Sequence, residues 1–178
     1  LSNSSFEGAS LLESVFVKSI IKGVNFKEAS LFEGDLSDTI IEDSNFQNSG
    51  INHATLTRTQ FINCNLNKAN LRKSDLSFCT FKNTVLTKTS FSNSILENAD
   101  LSGNNLKEAV FIRTKLTGAD LSNTDLTGAE FIGIDFTTFK FDNAIFANNK
   151  VKRIKVYEND LHRFNLSEEQ LKEVTIVG

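Results

Sequence analysis

Ala99-Asp100-Leu101-Ser102-Gly103, Asn104-Asn105-Leu106-Lys107-Glu108, Ala109-Val110-Phe111-Ile112-Arg113, Thr114-Lys115-Leu116-Thr117-Gly118, Ala119-Asp120-Leu121-Ser122-Asn123: each block has a large apolar residue third. Outward from this stretch the pattern runs unbroken. A Leu, Phe or Ile falls at every fifth position from Leu1 to Phe146, thirty times without insertion or deletion. Two residues before each, from Ser4 to Ala129, stands Ala, Ser, Thr, Cys or Gly, with Val24 and Asn104 the exceptions. A fixed period of this kind dictates the architecture and is read before any local signal.

Five is the period of neither regular element. An α-helix advances about 100° per residue, so a strict five-residue repeat would smear the large side chains around it. In a strand, residues five apart point to opposite sides. A chain that turns a corner every five residues keeps them all inside. Four corners close a square coil of twenty residues, and coils stack by backbone hydrogen bonds at a rise of about 4.8 Å. The large residue fills the lumen, and the small one sits near the corner, where backbone leaves little room. Stacking by twenty then aligns Phe6, Phe26 and Phe46, Phe61 with Phe81, and Phe91, Phe111 and Phe131. Asn25, Asn45, Asn65 and Asn105 share another column, where amide ladders are expected.

Ala119-Asp120-Leu121-Ser122-Asn123, Ala99-Asp100-Leu101-Ser102-Gly103 and Ala69-Asn70-Leu71-Arg72-Lys73 resemble the A(D/N)LXX consensus of pentapeptide-repeat proteins. The resemblance covers residues 1 to about 148. It implies an all-β solenoid, a right-handed quadrilateral β-helix. Residues 1–150 are read as the repeat domain and 151–178 as a C-terminal cap.

The small-residue column fails after Ala129, where Ile134, Phe139, Asn149, Ile154, Asn159 and Phe164 occupy its phase, so distorted final coils are expected. Ser167-Glu168-Glu169-Gln170 is a capping box. It predicts a short helix near 168–173, with an extended Val174–Val177 after it. The segment either covers the last coil's open backbone edge or, as the resemblance implies, pairs two chains as a homodimer. The chain has no Met and Leu1 is already in phase, so an upstream segment covering the first coil is expected.

The 178 residues carry a net charge of −3 and a pI near 5.5, so no direct nucleic-acid binding is expected. No membrane-spanning run is present. Cys64 and Cys79 both fall at the small inward position and read as buried thiols, compatible with a reducing, cytoplasmic compartment. His53 and His162 stand apart from any nucleophile in repeat geometry, and no phosphate loop or paired-Cys metal motif occurs. No enzymatic activity, cofactor or metal is expected.

A solenoid's natural output is a display surface. On the face centred on Leu11, Leu31, Ile51, Leu71, Phe91, Phe111 and Phe131, Leu12 and Phe32 point outward on adjacent coils, as do Ile112 and Ile132. Arg72, Lys73, Arg113, Lys150, Lys152 and Arg153 accompany them. Adjoining apolar side chains mark a partner site, with Leu12, Phe32, Ile112, Ile132, Arg72 and Arg113 its candidate residues. The function expected is a non-catalytic protein–protein interaction scaffold, with a protein as partner. An alternative comes from the resemblance, which includes proteins that mimic duplex DNA and modulate type II topoisomerases. It would use Asp100, Asp120 and Asp142 on the face centred on Leu101 and Leu121, where Lys22, Lys82, Lys140 and Arg163 interrupt the acidity.

Overall fold

The computed structural model describes all residues, Leu1–Gly178. The chain winds as a four-sided, right-handed parallel β-helix in which residue n stands opposite residue n+20 throughout the body. We number the faces in chain order, centred in the first coil on Leu1, Phe6, Leu11 and Phe16. On the first face β1 (Ile20–Lys22), β2 (Ile40–Glu42), β3 (Gln60–Ile62) and β4 (Thr80–Lys82) form one parallel sheet. On the third face β5 (Val110–Ile112), β6 (Glu130–Ile132) and β7 (Lys150–Lys152) form another.

One bonding scheme serves most pentapeptides, the sheet strands lacking only its corner bond. The central residue donates its N–H up the stack (Leu31 N to Gly50 O, 2.7 Å), and the residue two later does the same (Glu28 N to Gln47 O, 2.9 Å). The residue three later closes the corner onto the central carbonyl (Ala29 N to Phe26 O, 3.0 Å). The residue before the next centre donates down the stack (Ser30 N to Ala9 O, 2.9 Å). These bonds force a left-handed conformation two places after each centre, from Asn3 to Arg153, with Thr138 the one exception. That cost is borne by Glu, Lys, Arg and even Phe78 (φ 61°) as well as by Gly and Asn.

The fifth N–H, directly after the centre, explains the Asp or Asn of the repeat. Where either precedes the centre, its Oδ1 accepts that N–H, as Asn25 does from Lys27 (3.1 Å), Asn105 from Lys107 (3.1 Å) and Asp120 from Ser122 (2.8 Å). The Asn column therefore works mainly as a series of local turn caps. Only one amide-to-amide rung joins its members, Asn45 Nδ2 to Asn25 Oδ1 at 3.4 Å. In the two sheets the preceding residue is Ile20, Ile40, Gln60, Thr80, Val110, Glu130 or Lys150, never Asp or Asn, and the N–H enters the ladder. The first face loses its strands where Thr80 gives way to Asp100, and the third gains them at Val110.

The lumen is one apolar column. Phe111 is fully buried between Phe91 and Phe131, with ring centroids 5.2 Å from each. The buried Ser and Thr of the small-residue column cost nothing unpaired, because their hydroxyls donate to carbonyls, either one coil back, as Thr39 to Phe16 O (2.7 Å) and Thr114 to Phe91 O (2.8 Å), or in their own pentapeptide, as Ser49 to Phe46 O (2.8 Å). Asn104 fits the same position because its amide reaches Phe81 O, Leu101 O and Ser102 O while its Oδ1 accepts from Thr84 N.

Distortion begins where the small column fails. Phe139 is too large for a corner, and the turn opens into a 3-10 helix at Phe136–Thr138 with Phe139 folded inward against Phe136 (5.1 Å). The tail nevertheless keeps the twenty-residue return. β8 (Ile154–Tyr157) lies over Ile134 and Asp135, and β9 (Val174–Val177) pairs with β8 in parallel, Ile154 opposite Val174. Between them a 3-10 helix, Glu158–Phe164, delivers Phe164 to the C-terminal end of the column, 4.8 Å from Phe136 and 4.7 Å from Phe146. Arg163 lies 4.6 Å over Phe141 and donates to its carbonyl (2.8 Å). The short helix α1 (Glu168–Leu171) starts at Ser167 with both capping-box bonds present. No helix is long and apolar enough to cross a membrane.

Candidate interaction surface

The third face carries the candidate partner site. Leu12 is 55% exposed, whereas Phe32, Ile112 and Ile132 are half-buried, so the patch is shallower than outward phase alone suggests. Ile112 lies directly opposite Ile132 in the β5–β6 register, and Leu12 is stacked one coil from Phe32. The two pairs do not join: Asn52, Arg72 and Ser92 stand between them in the same column. Phe32 instead packs on the His53 ring, 5.2 Å away. Arg72 and Arg113 are exposed, as are Lys73, Lys150 and Arg153.

This face gathers unpaired cations in adjoining columns. On the other faces six cations are coupled to acids on neighbouring coils, Lys22–Glu42 (2.9 Å), Lys27–Glu7 (2.9 Å), Arg58–Asp38 (2.6 Å), Lys88–Glu108 (3.3 Å), Lys107–Asp125 (3.1 Å) and Lys155–Asp135 (3.1 Å), while Lys18, Lys68, Lys82, Lys115 and Lys140 stand there singly. Arg72, Lys73, Arg113, Lys150 and Arg153 have no acid within 4 Å; Lys152 alone on this face is paired, to Glu173 of the tail (3.2 Å). Glu130 lies opposite Lys150 in the β6–β7 register without forming an ion pair.

The acidic alternative is arranged differently from its appearance in the sequence. Asp100 and Asp120 are bridged in one column with Lys140 next in line, while Asp142 lies in a separate column two residues on. Both Asp100 and Asp120 also cap a turn, accepting from Ser102 N (2.9 Å) and Ser122 N (2.8 Å). Partial burial of Asp120 opposes its charged form, but the Ser122 hydrogen bonds and the nearby Lys140 outweigh it and hold the carboxyl below its ordinary value.

Chemistry elsewhere is sparse. Burial pushes the Cys64 thiol up to about 11 and Cys79 higher still; both are free and donate to carbonyls, Cys79 to Leu56 O at 2.8 Å. A surface hollow of about 410 Å³ lies beside the start of β8 and β9, lined by Ile134, Asp135, Arg153, Lys155, Lys172 and Thr175 among others, without a nucleophile–base pair. No three His, Cys, Asp or Glu side chains converge as metal ligands. Apolar side chains that outward phase alone could have flagged are Val15 (72% exposed) and Ile20 (62%), which extend the exposed apolar surface of the first coil beyond Leu12.

The fold defines a parallel β-solenoid. Family models described as "Pentapeptide repeat region" and "Pentapeptide repeats (8 copies)" match residues 54–131 and 1–38, and the chain belongs to the pentapeptide-repeat family. Among solved structures it is similar to a trypsin-treated form of QnrB1, a plasmid-mediated fluoroquinolone resistance protein. The two share 16% identity over 99% of this chain and 88% of that one, with a TM-score of 0.75. HetL, a pentapeptide-repeat protein involved in heterocyst differentiation regulation from the cyanobacterium Nostoc sp. strain PCC 7120, shares 21% identity. That match covers 86% of this chain and 85% of HetL, with a TM-score of 0.40. No curated protein matches the chain in sequence.

Proposed function

We propose that the protein is a non-catalytic interaction scaffold whose protein partner docks along the third face. The observation that carries this reading is the coincidence there of adjoining aliphatic side chains, Ile112 on Ile132, with a cluster of cations that have no acid within 4 Å. Aliphatic contacts supply area, and uncompensated charges supply steering and register. A photo-crosslinking residue placed in turn at positions 72, 112 and 132, and on the second face at 67, 87 and 107, tests it. The third-face positions should yield one common product in the source cell, and the second-face positions none. Equal yields from both faces, or none from the third, would contradict the reading.

A second reading, a rod that mimics duplex DNA for a type II topoisomerase, draws support from the Asp100–Asp120 column and the low carboxyl of Asp120. It predicts inhibition or quinolone protection in a gyrase supercoiling titration, weakened by Asp100→Lys; no effect at large molar excess removes it. A homodimer through the C-terminal segment would use the free edge of β9, where Ile176 is 48% exposed. Deleting residues 174–178 should then halve the mass seen by light scattering, and an unchanged mass would exclude this use of the edge.

A further inference from the structure

The third-face corner column reads Lys73, Asn93, Arg113, Gly133 and Arg153, one residue per coil. Charges therefore recur every second coil, and at a coil rise of about 4.8 Å their Cα atoms lie roughly 9.6 Å apart. The three cations are exposed, occupy left-handed corners that fix where each side chain leaves the backbone, and lack an acidic partner. Arg72 flanks the N-terminal end of this row and Lys150 the C-terminal end.

We propose that the row is the docking track for an acidic polypeptide segment in a polyproline II conformation, with a carboxylate at every third residue. This rests on the reading of the third face as the partner surface, and it names the partner's chemistry.

The spacing selects the conformation. A polyproline II helix returns to the same side every three residues, after about 9.3 Å. A β-strand presents one side every two residues, about 6.8 Å, and two such steps overshoot to about 13.6 Å. An α-helix repeats a side after seven residues, about 10.5 Å, and drifts by about 2 Å over the three cations. A segment with no internal hydrogen bonds also presents carbonyls to the amides of Asn52, Asn70 and Asn93, which line the same face. Between the cations the outward groups include the aliphatic Ile112 and Ile132, which suit pyrrolidine rings or other short apolar side chains, together with Ser92 and a single acid, Glu130. A nucleic acid strand fits less well, because no aromatic side chain stands among the cations as a stacking platform; Phe32 is engaged with His53 at the far end.

Fluorescence anisotropy on the full chain tests this, with fluorescein-labelled (Glu-Pro-Pro)6 as the probe at low salt. Binding should weaken with added salt. The double variant Arg113→Glu with Arg153→Glu should lose about tenfold or more in affinity, equivalent to about 1.4 kcal/mol or more, while Lys68→Glu on another face leaves it unchanged. Circular dichroism of each variant confirms the fold. A peptide of equal charge with its six Glu residues in one block should bind less tightly; equal binding would overturn the spacing argument. Tighter binding of an oligo-dT strand than of the peptide, lost in the same double variant, would overturn the choice of a polypeptide. No peptide binding together with crosslinks from position 112 would overturn the acidic partner and leave the docking face standing. Absence of both would remove the two together.

Discussion

The second and third faces are built on the same inner frame and differ on the outside. Inside, both stack large residues at intervals of twenty, Leu66 to Leu126 on one and Leu71 to Phe131 on the other, all buried. Outside, the second face answers most of its own needs, with Lys68 its one unpaired cation. Asn25, Asn45, Asn65, Asn105 and Asp125 cap its turns, and Lys27, Lys88 and Lys107 are paired to Glu7, Glu108 and Asp125 on neighbouring coils. The third face, from the fourth coil onward, leaves every cation but Lys152 without an acid and closes its later turns by backbone ladder instead. A solenoid can separate folding from display in this way because the ladder and lumen already satisfy each coil.

The inner equivalence gives the largest effects. Phe111→Ala on the third face should cost about 3–5 kcal/mol and Leu106→Ala on the second about 2–5 kcal/mol, since neither cavity can collapse between fixed coils. Urea denaturation checks both, and a midpoint equal to wild type for either would break the stacked-column account. Next come the caps. Asn105→Ala should cost about 0.5–1.5 kcal/mol by leaving Lys107 N without its acceptor, and Asn105→Asp should restore most of it.

Smaller still is the Lys107–Asp125 pair, with 48% and 27% of its side chains exposed. A double-mutant cycle should give about 0.2–1 kcal/mol at most, falling with salt. Partial burial of Asp125 opposes its charge, but hydrogen bonds from Thr127 and then Lys107 hold its pKa below the ordinary 3.8. A lowered folded pKa means the contribution is complete above the unfolded value and fades as pH falls through the folded one. Asp125→Asn should therefore flatten part of the stability loss below about pH 4, and an unchanged acid limb in pH-dependent melting would contradict the assignment.

Much of this was legible in the sequence for a physical reason. The lumen admits one large and one small residue per side, so Leu1 to Phe146 and Ser4 to Ala129 record the fold directly. Ser167 and Gln170 announced α1 because a capping box is local. Three features needed coordinates. The transfer of strand character from the first face to the third depends on single residues, Asp100 and Val110, whose meaning lies in whether a side chain or a neighbouring coil takes one N–H. The return of β9 onto β8 across a seven-residue 3-10 helix carries no periodic signal. The candidate site was placed on its face by phase, with Leu12, Phe32, Ile112, Ile132, Arg72 and Arg113 all on one side. Half-burial of the two isoleucines, and the absence of acid partners for the arginines, depend on side-chain geometry.

The separation of folding from display is tested most directly by comparing two sets of alanine substitutions in one thermal-unfolding experiment. One set removes Lys27, Lys88 and Lys107 from the second face; the other removes Lys73, Arg113 and Arg153 from the third. The account predicts a lower melting temperature for the second-face set, and an unchanged or higher one for the third-face set, whose like charges repel along one corner. A third-face set that melts lower than the second-face set would show that these cations hold the fold together, and would contradict the claim that they are kept for a partner.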